Sequence, residues 1–431
     1  MTRTPPLRIS LAASLAVSLA TPDAAATDRA AYRKDVDFLL ETLERKCGGF
    51  FDRKGIAWRK VEREFESSWK GVRSDVDHYR LVRRIVARVE DGHAGIVDVR
   101  FEWPEDEREP ARKGVGLSLG VSGRDVVVKD CFGPAESAGV RSGWSVRSID
   151  GEPALKWIEA RAKLLRDTNG YSTDQAAQFA ACHHGLADVP GTSWSFEFKD
   201  GRKSRKKTLT CASGGGNGVP IGPIFPPTDA VRIGRQSYGT LADGKIGWIH
   251  LRKVPEELPA QLDQMLGALG EVEGLVLDFR ANGGGGVDHE AVFGRFLAPG
   301  EAYGPWKASA DGAHYAGPIV VIVDAGTCSA GETLSGRLKS EKRAYVIGPS
   351  ATSGMSGRKE SFDLPSGLMT VRVTVSSFSA GDEIEGYGIE PHEIVAFDRD
   401  LQGQGIDPFL HRAVELLSDG LPKDVVRYRG R

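Results

Sequence analysis

The stretch Ile319-Val320-Val321-Ile322-Val323-Asp324-Ala325-Gly326-Thr327-Cys328-Ser329-Ala330-Gly331-Glu332 decides how the rest of the chain is read. Five apolar residues in a row predict a strand buried on both faces. The glycine turn and small residues after it predict the opening of a helix. A serine at that junction stands at a strand end beside helix N-terminal amides, which can stabilise a developing oxyanion. It is not the G-x-S-x-G elbow of the α/β-hydrolases. Alone, a serine before a helix is an N-cap. Its companions make the segment specific.

One companion is Leu275-Val276-Leu277-Asp278-Phe279-Arg280-Ala281-Asn282-Gly283-Gly284-Gly285-Gly286. A second buried strand runs here into an Asp-x-Arg-x-Asn turn and four glycines. Such a turn lets backbone N–H groups approach a ligand closely. It lacks the Lys-Ser/Thr ending of a nucleotide-binding loop. Strands are expected at 246–251, 274–279 and 319–323, with helices at 259–269 and 331–338. That alternation argues an α/β core with a largely parallel sheet.

Together the two segments resemble the core of the tail-specific, or C-terminal processing, serine peptidases. That family carries an Asp-x-Arg-x-Asn-x-Gly-Gly turn, then a strand and a Ser-Ala-x-Glu helix start. The resemblance runs from the N-terminal helical region to Gly386-Tyr387-Gly388-Ile389-Glu390-Pro391. It implies a crotonase/Clp-protease-like α/β core, an N-terminal helical domain and an inserted PDZ-like β-rich domain. It implies Ser329 as nucleophile. Gly284 (or a neighbouring glycine) and the amide of Ala330 would form the oxyanion hole.

One departure is chemical. The best-known branch takes its general base from the lysine of a Thr-Phe-Gly-Lys-Gly turn. The matching stretch here is Thr352-Ser353-Gly354-Met355-Ser356, and a methionine accepts no proton. Asp91-Gly92-His93 resembles the family's Asp-Gly-His segment, whose histidine is the base in the tricorn-like branch. An imidazole suits proton abstraction from a serine hydroxyl. Glu385 matches the glutamate that closes that branch's relay, where the link to the histidine can run through another hydroxyl. Lys339, Lys342 and Lys359 are substitute bases outside the family's lysine turn. The expected activity is hydrolysis of peptide bonds in unfolded proteins or peptides through an acyl-enzyme on Ser329. A catalytically silent peptide-binding paralogue is the alternative, favoured only by the missing lysine.

Residues 132–154, FGPAESAGVRSGWSVRSIDGEPA, resemble the middle of a PDZ domain, with Trp144 where an acidic residue is usual. The resemblance implies that Val115, Gly116, Leu117, Ser118 and Leu119 form the carboxylate loop and peptide-binding edge, adding a bound chain as a strand. The expected organisation is a signal peptide at 1–26, a helical domain at 27–112 and the PDZ-like domain at 113–212. A Gly/Pro-rich linker at 213–227 leads to the peptidase core at 228–431. Arg3, Arg8 and the short apolar run 11–20 read as a secretory signal ending at Ala24-Ala25-Ala26. The expected location is therefore periplasmic or secreted, with no stable membrane anchor.

Composition adds exclusions. The 431 residues carry 57 Lys+Arg against 59 Asp+Glu, a net charge of -2 that offers no global footprint for nucleic acid. The run Lys199 to Lys207 reads as a solvated hairpin. Five cysteines are too few for a disulfide scaffold, although Cys182 with Cys211 is conceivable. None of the remaining histidines has metal-ligand spacing, so neither metal nor cofactor is expected. The expected partner is a polypeptide substrate, and oligomeric state is not legible.

Overall fold

The computed structural model describes residues 24–212, 222–303 and 305–428. The apolar run of the expected signal segment and most of the expected linker lie outside the described residues. Ala24 to Ala26 begin the helix Ala24–Cys47.

A seven-stranded sheet carries the nucleophile segment. Its order is Glu393–Ile394, Tyr345–Gly348, Ile319–Ile322, Gly274–Asp278, Ile246–His250, Gln236–Leu241 and Val231–Ile233. The first five strands run parallel, and the last two are added antiparallel. Leu275 and Leu277 point to one hydrophobic layer and Val276 to the other, the period of two that a strand imposes. The helix Leu258–Leu269 covers the first layer through Leu262 and Met265, and Pro408–Asp419 covers the second through Phe409 and Ala413. Both faces are therefore dry, which is why these strands read as unbroken apolar runs. The three expected core strands and the two expected core helices fall within two residues of their predicted limits.

The β-rich region is a second sheet, ordered Leu117–Ser122, Asp125–Cys131, Ser145–Ile149, Ser193–Asp200 and Lys203–Thr210. It also holds two helices, Ala154–Arg166 and Asp174–His184, in a stretch that reads as strand-rich from sequence. Trp157 and Ile158 of the first, and Ala181 and Cys182 of the second, join the core of that sheet.

The N-terminal helices Ala24–Cys47, Trp58–Phe65 and Asp75–Ala87 do not close their core alone. A three-stranded sheet, Gly95–Val99 with Met369–Ser377 and Gly357–Asp363, supplies Met369, Val371 and Val373 to it. Ser74 caps the third helix by accepting from the Asp77 N–H at 3.1 Å. A buried Asp35 locks the two parts together, accepting from Ser366 N (2.8 Å) and Ser366 Oγ (2.6 Å) and facing His78 Nε2 at 2.8 Å. All five cysteines are free, so Cys182 and Cys211 are unpaired.

Candidate active site

Ser329 follows the strand Ile319–Ile322 and stands immediately before the helix Ala330–Ser340. Its φ of 57° is left-handed for a residue with a side chain, a conformation that costs on the order of 1–3 kcal/mol and persists only where the surroundings enforce it. Glu332 does so. Its fully buried carboxylate accepts from the N–H groups of Ser329 (3.0 Å), Met355 (3.0 Å) and Gly354 (2.6 Å), and from the Thr352 hydroxyl (2.6 Å). Burial pushes its pKa up to about 8, against the pull of those four donors. The Ser329 N–H is shared with the Met355 carbonyl at 2.8 Å.

The Asp-x-Arg-x-Asn turn supports this junction from below. Asp278 and Asp407 hold the buried Arg280 guanidinium at 2.6 and 2.7 Å. The Asn282 side-chain amide donates to the Leu251 carbonyl, and Cys328 N donates to the Asn282 carbonyl at 2.9 Å. Arg252 and Lys253, not singled out by the sequence reading, donate to the carbonyls of Ala281 and Gly283. Gly284 lies against the nucleophile: a Cβ there would be 2.6 Å from Ser329 Cβ and 3.1 Å from Ser329 Oγ. Its N–H donates to Asn282 Oδ1 at 2.8 Å, so the expected oxyanion donor is engaged within its own turn. Ala330, the first residue of its helix, has an N–H with no intrahelical acceptor. Burial pushes the Cys328 thiol up to about 12.

A second constellation forms around Asp91-Gly92-His93. Asp91 accepts from its own turn at His93 N (2.8 Å) and from Thr374 N (2.8 Å) in the distant hairpin. Gly92 N donates to Ser172 Oγ at 3.1 Å. Burial lowers the His93 pKa to about 4, and Lys359 and Arg372 add to that while Asp91 opposes it. The ring is neutral at physiological pH, and its buried Nδ1 has no hydrogen-bond partner among the described residues. Glu385 does not bond the ring. It takes the buried Lys54 ammonium at 2.7 Å and the Ser356 N–H at 3.2 Å, and is linked to the Ser172 hydroxyl. Burial and Asp91 raise its pKa, and Lys54 opposes them. Lys54 also donates to the Glu90 carbonyl at 2.7 Å, tying the glutamate to the Asp91 turn.

Met355 joins the two constellations. Its carbonyl holds Ser329, and its sulfur lies where a side chain on Gly92 would be, 2.1 Å from the position of such a Cβ. Ser356 adds a second link, donating to the Ser329 carbonyl at 3.2 Å while its N–H meets Glu385. Asp91, His93 and Glu385 offer oxygen and nitrogen atoms within 4.8 Å of one another, the spacing of a cation site. Lys54 already places a positive charge there, and both Asp91 oxygens are taken by backbone amides.

The substitute lysines lie elsewhere. Lys339 donates to the Glu390 carbonyl at 2.6 Å, Lys342 faces the Asp424 carbonyl at 3.4 Å, and Lys359 is exposed on the hairpin. Residues Val115 to Leu119 are all buried, and the strand Leu117–Ser122 is an edge of its own sheet. Phe397 packs against Gly120 on that edge, facing the helix Asp174–His184.

A serine in a forced backbone conformation, between a glycine turn and a helix N-terminus, places a hydroxyl beside backbone amides as a nucleophile requires. Residues 245–395 match the model of peptidase family S41. The chain is 28% identical over 373 residues to the chloroplastic C-terminal processing peptidase of Tetradesmus obliquus, covering 78% of this chain and 75% of that one. It is 23% identical over 312 residues to the carboxy-terminal processing protease CtpB of Bacillus subtilis, covering 68% and 58%. Mature CPAF has a similar fold, with a TM-score of 0.68 at 15% identity, covering 91% of this chain and 99% of that one. The protein is a serine peptidase whose residues 245–395 carry the match to peptidase family S41.

Proposed function

We propose that the protein is a carboxyl-terminal processing peptidase of the Ser-His-Glu, tricorn-like type, with Ser329 as nucleophile and His93 as base. The observation that carries this is the left-handed Ser329, held by Glu332 and abutted by Gly284, with the Asp91-Gly92-His93 turn reached through Met355. The missing lysine is consistent with it, since Met355 occupies that place as a spacer between serine and imidazole turn.

The neutral His93 ring takes the proton from Ser329 Oγ as that oxygen bonds to the scissile carbonyl carbon. The oxyanion is met by the Ala330 N–H and by the glycine turn, where Gly284 must share its N–H with Asn282. The imidazolium returns its proton to the departing amine as the C–N bond breaks. Water, deprotonated by His93, then attacks the ester carbonyl, and the imidazolium gives that proton to Ser329 Oγ as the acyl C–O bond breaks and the new chain end leaves. Glu385, charge-balanced by Lys54, steadies the base through Ser172 and the Gly92 amide.

The PDZ-like reading assigns residues 113–212 to recruitment of an extended chain along the edge of Leu117–Ser122, with Phe397 as the residue to be displaced. Secretion to the periplasm or beyond is part of the same reading. No helix among the described residues is long and apolar enough to cross a membrane.

The test compares wild type with Ser329→Ala and His93→Ala on an unfolded protein and on peptides, with labelling by a fluorophosphonate probe. Turnover and labelling in wild type, with loss of both in Ser329→Ala, are expected. Turnover in wild type equal to that of Ser329→Ala, with no label on Ser329, returns the silent peptide-binding reading.

A further inference from the structure

Beside the nucleophile, on the side of Gly284 and Gly285, lies an open cavity of about 650 Å³. Its walls include Arg235, Lys253, Glu257 and Gln261. Lys253 is half-buried, and its ammonium donates to the Gly283 carbonyl at 2.8 Å. Arg235 is exposed and lines the same cavity. Neither has a carboxylate within ion-pairing distance among the described residues. Lys253 and Arg235 are the two cations in its lining. The acid in the lining is Glu257, which is exposed.

The cavity is close enough to matter for the reaction. A Cβ on Gly283 would lie 2.5 Å from Lys253 Nζ, and a Cβ on Gly284 would lie 3.1 Å from Ser329 Oγ. Neighbouring Cα atoms are about 3.8 Å apart, so Nζ and Oγ are separated by no more than roughly 12 Å. That is the reach of a few extended residues of a peptide lying across the serine. The lysine has two further N–H groups to offer, and donors in that state favour an anionic acceptor.

We infer that this cavity is a substrate subsite for a carboxylate, held by Lys253 and Arg235 a few residues from the scissile bond. The carboxylate comes from an acidic side chain of the substrate or from its C-terminal end. The inference rests on Ser329 being the nucleophile. Its specificity content is separate: acidic peptides would be cut faster than their neutral isosteres.

The experiment uses two peptide pairs with the full chain. One pair differs by Glu against Gln at each position within three residues of the scissile bond. The other differs by a free acid against an amide at a C-terminus equally near. The expected result is a kcat/KM about fivefold to tenfold higher for the carboxylate member of at least one pair, an advantage shrinking with salt. Which pair shows it identifies the source. Arg235→Glu should abolish the advantage while neutral peptides are cut as before, and Arg235→Lys should restore it. Equal rates within both pairs in wild type overturn the subsite, as does an Arg235→Glu that slows acidic and neutral peptides alike. Loss of all turnover in Ser329→Ala, with neutral peptides cut by wild type, keeps the peptidase reading standing in either case.

Discussion

Lys54 and Glu385 form an ion pair with side chains 2% and 0% exposed, at 2.7 Å. Replacing Lys54 by Met strands a buried carboxylate. Leaving it charged costs about 3–5 kcal/mol. The alternative is protonation. At about pH 7.5 the solution is three units above the ordinary carboxyl value of 4.5, and at 1.36 kcal/mol per unit that costs about 4 kcal/mol. The two routes cost alike, so Lys54→Met should destabilise the fold by about 4 kcal/mol at pH 7.5. Near pH 5.5 protonation costs only about 1.4 kcal/mol, so the deficit should shrink by about 1.4 kcal/mol per pH unit as the solution is acidified. The sign follows from the raised folded pKa: such a carboxyl favours folding below its unfolded value, and that support is lost as pH rises through the folded value. Urea unfolding of wild type and variant at several pH values reads this directly. Lys54→Met with Glu385→Gln should recover most of the stability. A deficit below 1 kcal/mol at pH 7.5, or one that does not change with pH, would refute the idea that Lys54 neutralises Glu385.

Three further outcomes follow from the same geometry. Gly284→Ala places a methyl 2.6 Å from Ser329 Cβ at a φ of +66°, so activity on a neutral peptide should fall at least about a hundredfold while the far-ultraviolet spectrum stays native. Glu332→Gln leaves two of four donors facing an amide NH₂, and should lower stability by about 2–4 kcal/mol in urea titrations and activity with it. With His93 held at about 4 by burial, the acid limb of kcat/KM should lie well below the ordinary histidine value of 6.5. A pH–rate profile with its limb at 6.5 or above would show that the base is not this buried ring.

The parts legible in the sequence are those whose signal is local. The runs around Leu275 and Val320 are strands because they are apolar on both faces, and no distant residue is needed to see it. Ser329 is legible because strand, turn and helix start are contiguous. The helices Ala154–Arg166 and Asp174–His184 are locally visible too, but they sit within a strand-rich frame that draws the reading toward β structure. What escapes is whatever depends on a partner far along the chain. Lys54 looks like any basic residue ending a short helix, and its ion-pair partner Glu385 comes 331 residues later. Arg252 and Lys253 are two more cations until the glycine turn presents its carbonyls to them. The engagement of the Gly284 amide by Asn282 is likewise a matter of turn conformation, invisible in a string of glycines.

The seam between the N-terminal helices and the hairpin 357–377 has a consequence for biosynthesis. Thr374 holds Asp91, and Asp91 holds the backbone of His93. Lys54 waits for Glu385. A chain emerging from the ribosome therefore cannot fix the Asp91-Gly92-His93 turn until residues 374 and 385 have arrived. Assembly around the Asp91-Gly92-His93 turn is thus a late event, deferred until both partners of each contact have been synthesised.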